Sequence, residues 1–253
     1  MKRILLLAIL VCLSGVCKVM AVSFNNEQLR YVISYKWGVI HKDAGDATLS
    51  LRKQGDRYDV MLAAKTKPWA DRFYMVRDTL IAKIAADNSL TPISYSKITH
   101  EKGKYNRDEI KYTKSGNQTT GKITLHRTSE GKPVVKEKTL AATGPVYDML
   151  SVFYYLRALD YSALTKNKIY VATIFSGSQS EKIRIRSLGL ETIKLKDGSK
   201  REAYHIKFNF TQAGGKKSSD DIDTWISTDS NHIPLYLIGK LPIGEVRAYF
   251  VGN

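Results

Sequence analysis

The residues of this chain best suited to chemistry are aromatic and cationic. Trp37 ends an alternating apolar run. Trp69 lies in Lys67-Pro68-Trp69, close to Phe73 and Tyr74, and Trp225 lies in Thr224-Trp225-Ile226-Ser227. Tyr154 and Arg157 close the run Ser151-Val-Phe-Tyr-Tyr-Leu-Arg157. Aromatic rings beside Lys or Arg can line a site for a lipid or a glycan. Trp37, Trp69, Tyr154, Arg157 and Trp225 are therefore the candidate ligand-binding residues. The competing explanation for the rings is that Tyr and Trp simply suit strands. A buried guanidinium at Arg157 needs partners; Asp148, Asp160 or an anionic group on a ligand would each serve.

The motifs of nucleophilic and metal catalysis are missing. There is no His-Glu-x-x-His, no Gly-x-Ser-x-Gly and no Gly-rich phosphate loop. His41, His100, His126, His205 and His232 are scattered without ligand spacing, so neither a metal nor a cofactor is expected. Ser50 to Lys53 and Ser94 to Lys97 match Ser-x-x-Lys, but both fall in strand-like segments, where residues three apart point to opposite faces. Two carboxylate groups, Glu101 with Asp108 and Glu109, and Asp220 with Asp221 and Asp223, keep a hydrolase or modifying enzyme acting on envelope polysaccharide open as the alternative function. That chemistry needs two carboxyls about 5–10 Å apart in a cleft. Lys182, Arg184 and Arg186 place three cations on one face of a strand. They form either an anion-binding stripe or a solvated outer face that discourages edge pairing.

The elements that would position these residues follow from period-two patterning. Leu29, Tyr31, Ile33, Tyr35 and Trp37 alternate with mostly polar neighbours, as do Tyr204, Ile206, Phe208 and Phe210. Such rows put one face on a core and the other in water. Turn signals such as Gly55-Asp56, Asp197-Gly198, Gly214-Gly215 and Pro242-Ile243-Gly244 separate the segments, so sequential antiparallel pairing of about a dozen strands is expected. So many twisted strands tend to curl or close. The fold class is all-β: a large antiparallel meander curled into a barrel or half-barrel. One helix is expected near residues 145–159, where Met149, Val152, Phe153, Leu156 and Leu159 follow helical spacing, with Pro145 at the first turn or Asp148 as cap.

Residues 1–21 read as a cleaved signal peptide. Lys2 and Arg3 precede an apolar run from Ile4 to Leu13, and Val19-Met20-Ala21 suits a signal peptidase. The run is shorter than the ~20 residues a bilayer span takes, and no second such run follows, so no transmembrane segment is expected in the mature chain. A retained anchor is the rival reading. Lipidation is a second rival, but Ser14-Gly15-Val16 before Cys17 and Ile9-Leu10-Val11 before Cys12 are poor lipobox matches. Cleavage after Ala21 removes both cysteines and leaves residues 22–253 as one disulfide-free domain, which must be held by its core alone. The full chain carries +16, and loss of Lys2, Arg3 and Lys18 leaves +13. That balance favours anionic partners. Export places lipid head groups and acidic glycans ahead of nucleic acid, which is not an expected partner.

Three ordered stretches carry a resemblance: Glu27-Gln-Leu-Arg-Tyr31 opening the first strand, Asp148-Met-Leu-Ser-Val-Phe-Tyr-Tyr-Leu-Arg157, and Trp225-Ile-Ser-Thr-Asp-Ser-Asn-His-Ile-Pro234 before a final hairpin. Together they resemble the bacterial domain of unknown function 3108 family across essentially the whole mature chain. The resemblance implies an exported, mostly β protein of the periplasm or outer membrane, folded like the curled sheets of outer-membrane lipoproteins. It carries over no catalytic residues. The expected function is non-catalytic binding of an amphiphilic or glycan ligand, or of another envelope component, with peripheral membrane contact as part of that expectation.

Overall fold

A computed structural model describes residues 23–101, 104–129, 132–161, 163–164, 166, 168–212 and 218–253. The expected signal peptide at residues 1–21 and the expected turn at Gly214-Gly215 lie outside the described residues. Among those described, fifteen strands form one sheet. The first eight are β1 (Glu27–Trp37), β2 (Ile40–Gln54), β3 (Arg57–Thr66), β4 (Arg77–Ala85), β5 (Pro92–Glu101), β6 (Lys104–Ser115), β7 (Gln118–Ser129) and β8 (Lys132–Thr143). The rest are β9 (Val146–Tyr147), β10 (Ile169–Ser176), β11 (Gln179–Lys194), β12 (Lys200–Thr211), β13 (Ile222–Ser227), β14 (Pro234–Lys240) and β15 (Glu245–Gly252). Helix α1 (Pro68–Tyr74) lies between β3 and β4, and α2 (Ser151–Arg157) between β9 and β10.

The chain builds the sheet as two meanders joined at its middle. It runs from β1 outward to β8 at one edge, crosses to β9 and β10 at the other, and returns inward to β15, which pairs with β1. Neighbours are antiparallel except β9 and β10, whose parallel register sets Val146 against Thr173 and Tyr147 against Ile174. A parallel pair cannot be joined by a tight turn and needs a long crossover, usually helical. Helix α2 is that crossover, which is why the one strongly helical pattern falls at mid-chain.

The sheet is nearly closed into a barrel, as its strand count and twist require. Its two arms meet face to face. Tyr112 on β6 stacks on Phe175 of β10 with ring centroids 6.0 Å apart. Gly121 on β7 makes that approach feasible, since a Cβ there would lie 2.9 Å from the Phe175 ring. Lys138 on β8 donates to the Ser178 carbonyl at 2.8 Å, tying the free edge to the opposite arm.

Inward side chains from both meanders, among them Leu29, Leu49, Tyr58, Ile110, Ile183 and Ile206, pack with α2 in one core. The helix is shorter than the expected 145–159. Val146 and Tyr147 are claimed by the β9 ladder, and the helix itself runs only from Ser151 to Arg157. Asp148 Oδ1 accepts from the Leu150 and Ser151 amides, both at 2.8 Å, while Ser151 Oγ accepts from the Asp148 amide at 2.8 Å. This reciprocal arrangement satisfies donors that a helix start leaves bare. The second helix, α1, falls where the sequence reads as a Lys67-Pro68-Trp69 turn. Pro68 at the first helical position suits it.

Candidate ligand-binding site

The inner face of the sheet changes character along its strands. On β1 the inward row starts at the fully buried Leu29, continues through Tyr31 and Ile33, and ends at Tyr35 and the 56 % exposed Trp37. On β2 the inward positions pass from Leu51 and Leu49 to Gly45, and on β3 from Tyr58 and Val60 to Ala64 and Thr66. Large side chains fill the end that α2 occupies, and small ones leave the other end open. The space left is a cavity of about 730 Å³ lined by residues of β1, β2, β3, α1, β15 and the β14–β15 turn, including Ile33, Ala64, Ala70 and Val246, together with Val76 just after α1. It falls within the range of clefts that take small ligands, about 300–1,000 Å³.

Most polar groups in the wall are already engaged, the exposed Lys65 at its border having no ion pair among the described residues. Tyr35 donates its hydroxyl to the Ile243 carbonyl at 2.8 Å, and Trp69 Nε1 donates to the Asp43 carbonyl at 2.9 Å. Thr66 Oγ1 donates to Asp71, whose carboxylate also receives Arg77. The Arg77 guanidinium and the Thr66 hydroxyl hold the Asp71 carboxyl below its ordinary range. Tyr74 donates to Glu101 at 2.5 Å, which pushes the Tyr74 hydroxyl up. What faces the cavity is therefore hydrocarbon and ring surface.

The mouth is built by three segments. Trp37 and Ile40 flank the β1–β2 turn, Phe73 and Tyr74 end α1, and Leu241 and Ile243 form the β14–β15 turn; all six line the cavity. Gly244 fixes the last of these against β1. Its φ is +79°, and a Cβ there would lie 2.3 Å from the Lys36 carbonyl oxygen, so a side chain would push the turn away. Trp69 and Phe73, one helical turn apart, meet edge to face at 6.3 Å. Lys42 sits over the Trp69 ring, 4.4 Å from its centroid.

Of the five residues singled out in the sequence, the structure brings Trp37 and Trp69 into this wall and leaves three elsewhere. Arg157 is 1 % exposed in the packed core, and its partner is neither Asp148 nor Asp160 but Glu27 on β1. The guanidinium makes a two-pronged contact with that carboxylate. It also donates to the Asn231 carbonyl from Nη2 at 2.9 Å and from Nε at 3.2 Å. Tyr154 donates to the same Glu27 at 3.1 Å. The two residues lock α2 to β1 and to the turn before β14. Trp225 faces the outer side of the sheet, opposite the inward Ile226. There it stacks between His205 at 4.5 Å and Tyr236 at 4.9 Å and donates to Glu191 at 2.9 Å.

The carboxylate groups do not form an acid pair of the kind hydrolysis needs. Asp108 and Glu109 are adjacent on β6 and so point to opposite faces. Asp108 pairs with Arg127 at 2.5 Å, whereas Glu109 pairs with Arg107 at 2.6 Å and with His126 at 3.1 Å. Asp223 is held by His205 and Lys207, and Asp221 accepts from Asn209. Glu101 instead lies near Asp78, whose carboxyl is pushed up by burial and then by the Glu101 charge; neither lines the cavity. Arg184 and Arg186 lie on the face opposite the buried Ile183 and Ile185, and Lys182 bonds Thr173 at 2.5 Å. Among the described residues no cluster could hold a metal ion, and no helix is long and apolar enough to cross a membrane.

Sequence reasoning missed Val39, Ile40, Phe73, Leu241 and Ile243. Their signal was present: apolar residues occupy turn tips, at Trp37-Gly38-Val39-Ile40 and Leu241-Pro242-Ile243-Gly244, where polar ones are the norm.

The family model for a protein of unknown function, DUF3108, matches residues 30–251, and the chain belongs to that family. Neither the curated proteins nor the solved structures contain a match to it.

Proposed function

We propose that this DUF3108 protein is a non-catalytic carrier or receptor that takes the acyl part of an amphiphile into the cavity at the open end of its barrel. The observation that carries this reading is the lining. A cavity of about 730 Å³ is walled mainly by apolar and aromatic side chains, and Tyr35, Trp69 and Thr66 there are bonded to the protein itself. An apolar chain transferred from water into such a space gains roughly 25 cal/mol for each Å² of surface removed from water. A glycan would have to give up its bonds to water without finding partners, which costs free energy for every hydroxyl left unpaired. The same wall thus favours the lipid over the sugar reading. The signal-peptide pattern at residues 1–21 supports an exported setting for this activity, in the periplasm or at the outer membrane.

The test is uptake of an environment-sensitive fluorescent fatty acid by the purified chain. Wild type is expected to bind with a saturable rise in emission. Ala64→Trp, which puts a large ring into the cavity, should abolish the rise while the protein still melts cooperatively. Trp225→Phe, on the outer face, should bind as wild type does. Equal uptake by wild type and Ala64→Trp, or no uptake by wild type, refutes the reading.

A further inference from the structure

The cavity explains why its inner wall is apolar. It does not explain why the apolar surface continues outward onto the tips of the mouth. Val39 is fully exposed, Phe73 is 77 % exposed and Ile243 is 63 % exposed, and Trp37, Ile40, Tyr74 and Leu241 are each more than two-fifths exposed. Single exposed apolar residues need no explanation, but a contiguous patch with a polar rim marks an interaction surface. Here the patch is assembled from three separate segments that share nothing except the mouth. It follows directly on the cavity wall, since six of these seven residues also line the cavity.

The charge around the patch identifies the kind of surface it meets. Residues 36–46, 65–77 and 240–245 carry seven Lys and Arg against four Asp and Glu, and just outside them Asp78 and Glu101, the latter bonded to Tyr74, add two more acids. Each of the four acids is already in an ion pair: Asp43 with Lys196, Asp46 with Lys67, Asp71 with Arg77, and Glu245 with Lys36 and Arg247. Lys42, Lys65, Arg72 and Lys240 are exposed and have no ion pair among the described residues. An apolar tip with Trp and Tyr, ringed by uncompensated cations, has the composition of a membrane–water interface. Anionic head groups attract such a cluster within a Debye length. A rigid protein partner would have to match three separate prongs around a hole, whereas a bilayer deforms to meet them.

We propose that the open end of the barrel docks on an anionic lipid surface, with Val39, Phe73 and Ile243 entering the boundary between head groups and acyl chains and Lys42, Lys65, Arg72 and Lys240 resting on the phosphates. The docking places the cavity mouth against a source of acyl chains. Its purpose rests on the carrier reading, but its readout does not use the cavity.

The experiment is flotation of the full chain with phosphatidylcholine vesicles, with and without phosphatidylglycerol, followed by quenching of tryptophan emission by brominated acyl chains. Wild type should float with the anionic vesicles, less with the neutral ones, and less as salt is raised. Its emission should be quenched, and the double variant Trp37→Phe/Trp69→Phe should lose most of that quenching, because both rings stand at the mouth and Trp225 is buried on the outer face. Val39→Glu leaves the core and the cavity lining untouched and should weaken binding about tenfold or more, because a carboxylate at the interface replaces a side chain that inserts. Val39→Leu should bind as wild type does. Ala64→Trp separates the two readings: it should lose fatty-acid uptake and keep vesicle binding. No flotation by wild type overturns the docking, as does equal flotation of Val39→Glu. Flotation without quenching likewise overturns it, as does a dimer in solution that buries Trp37.

Discussion

Replacing Arg157 by Met tests whether this residue belongs to the architecture or to a site. Its side chain is 1 % exposed and its Glu27 partner 16 %, so solvent screens the pair little. The substitution keeps most of the stem volume and removes the two-pronged contact with Glu27, together with the bonds to the Asn231 carbonyl at 2.9 and 3.2 Å. Glu27 is then left with the Tyr154 hydroxyl at 3.1 Å as its remaining side-chain partner. Breaking a buried pair by deleting one member costs about 3–5 kcal/mol, chiefly because the other charge stays buried without compensation. Against a total stability of about 5–15 kcal/mol for an ordinary domain, that is a large loss. Urea unfolding should show a lower midpoint at unchanged slope. The double variant Arg157→Met/Glu27→Leu should cost less than the two single variants together, with a coupling of about 1 kcal/mol or more. A single variant within about 1 kcal/mol of wild type, or strict additivity in the cycle, would refute the assignment of Arg157 to the lock between α2 and β1.

Three further outcomes follow from the same structure. Burial raises the Asp148 carboxyl from 3.8 to about 6, against the opposing effect of the Ser151 and Leu150 amides. The folded state therefore holds this proton more tightly than the unfolded chain. Its contribution is fully present below about pH 3.8 and lost as pH rises through about 6, a span of about 2 units or about 3 kcal/mol. Asp148→Asn abolishes that titration, so the stability difference between wild type and variant, followed by urea unfolding from pH 4 to 7, should change by about that amount in favour of the variant as pH rises; a constant difference refutes it. Leu156→Ala, at a side chain 7 % exposed in the α2 core, should cost about 2–5 kcal/mol in the same assay. Protein exported by a bacterial host should have an intact mass that begins at Val22, and a retained leader or a diacylated Cys17 would contradict this.

Much of the architecture was legible in the residues because it is periodic. Alternating rows such as Leu29 to Trp37 and Tyr204 to Phe210 specify strands through local geometry alone, since a two-residue period has only one way to hide its apolar face. The helical run around Val152 and Leu156 was legible for the same reason. Its start was not, because Val146 and Tyr147 are recruited by a partner strand more than twenty residues away. No local pattern carries that pairing.

The site divides along the same line. Trp37 and Trp69 are recognisable as unusual residues in the sequence, but so is Trp225, and side-chain type cannot say which face of a closed sheet a ring will occupy. Arg157 and Glu27 stand 130 positions apart and meet only because β1 pairs with both β2 and β15, so that the crossover helix packs against β1. The cavity itself is a matter of volume. Gly45, Ala64 and Ala70 read as ordinary small residues until the sheet closes and places them together beyond the reach of α2. Residue type and period alone decided that this chain makes strands, turns and one central helix. Closure of the sheet decided where packing stops and an apolar cavity begins, because only closure sets which distant side chains share the interior and how much of it they fill.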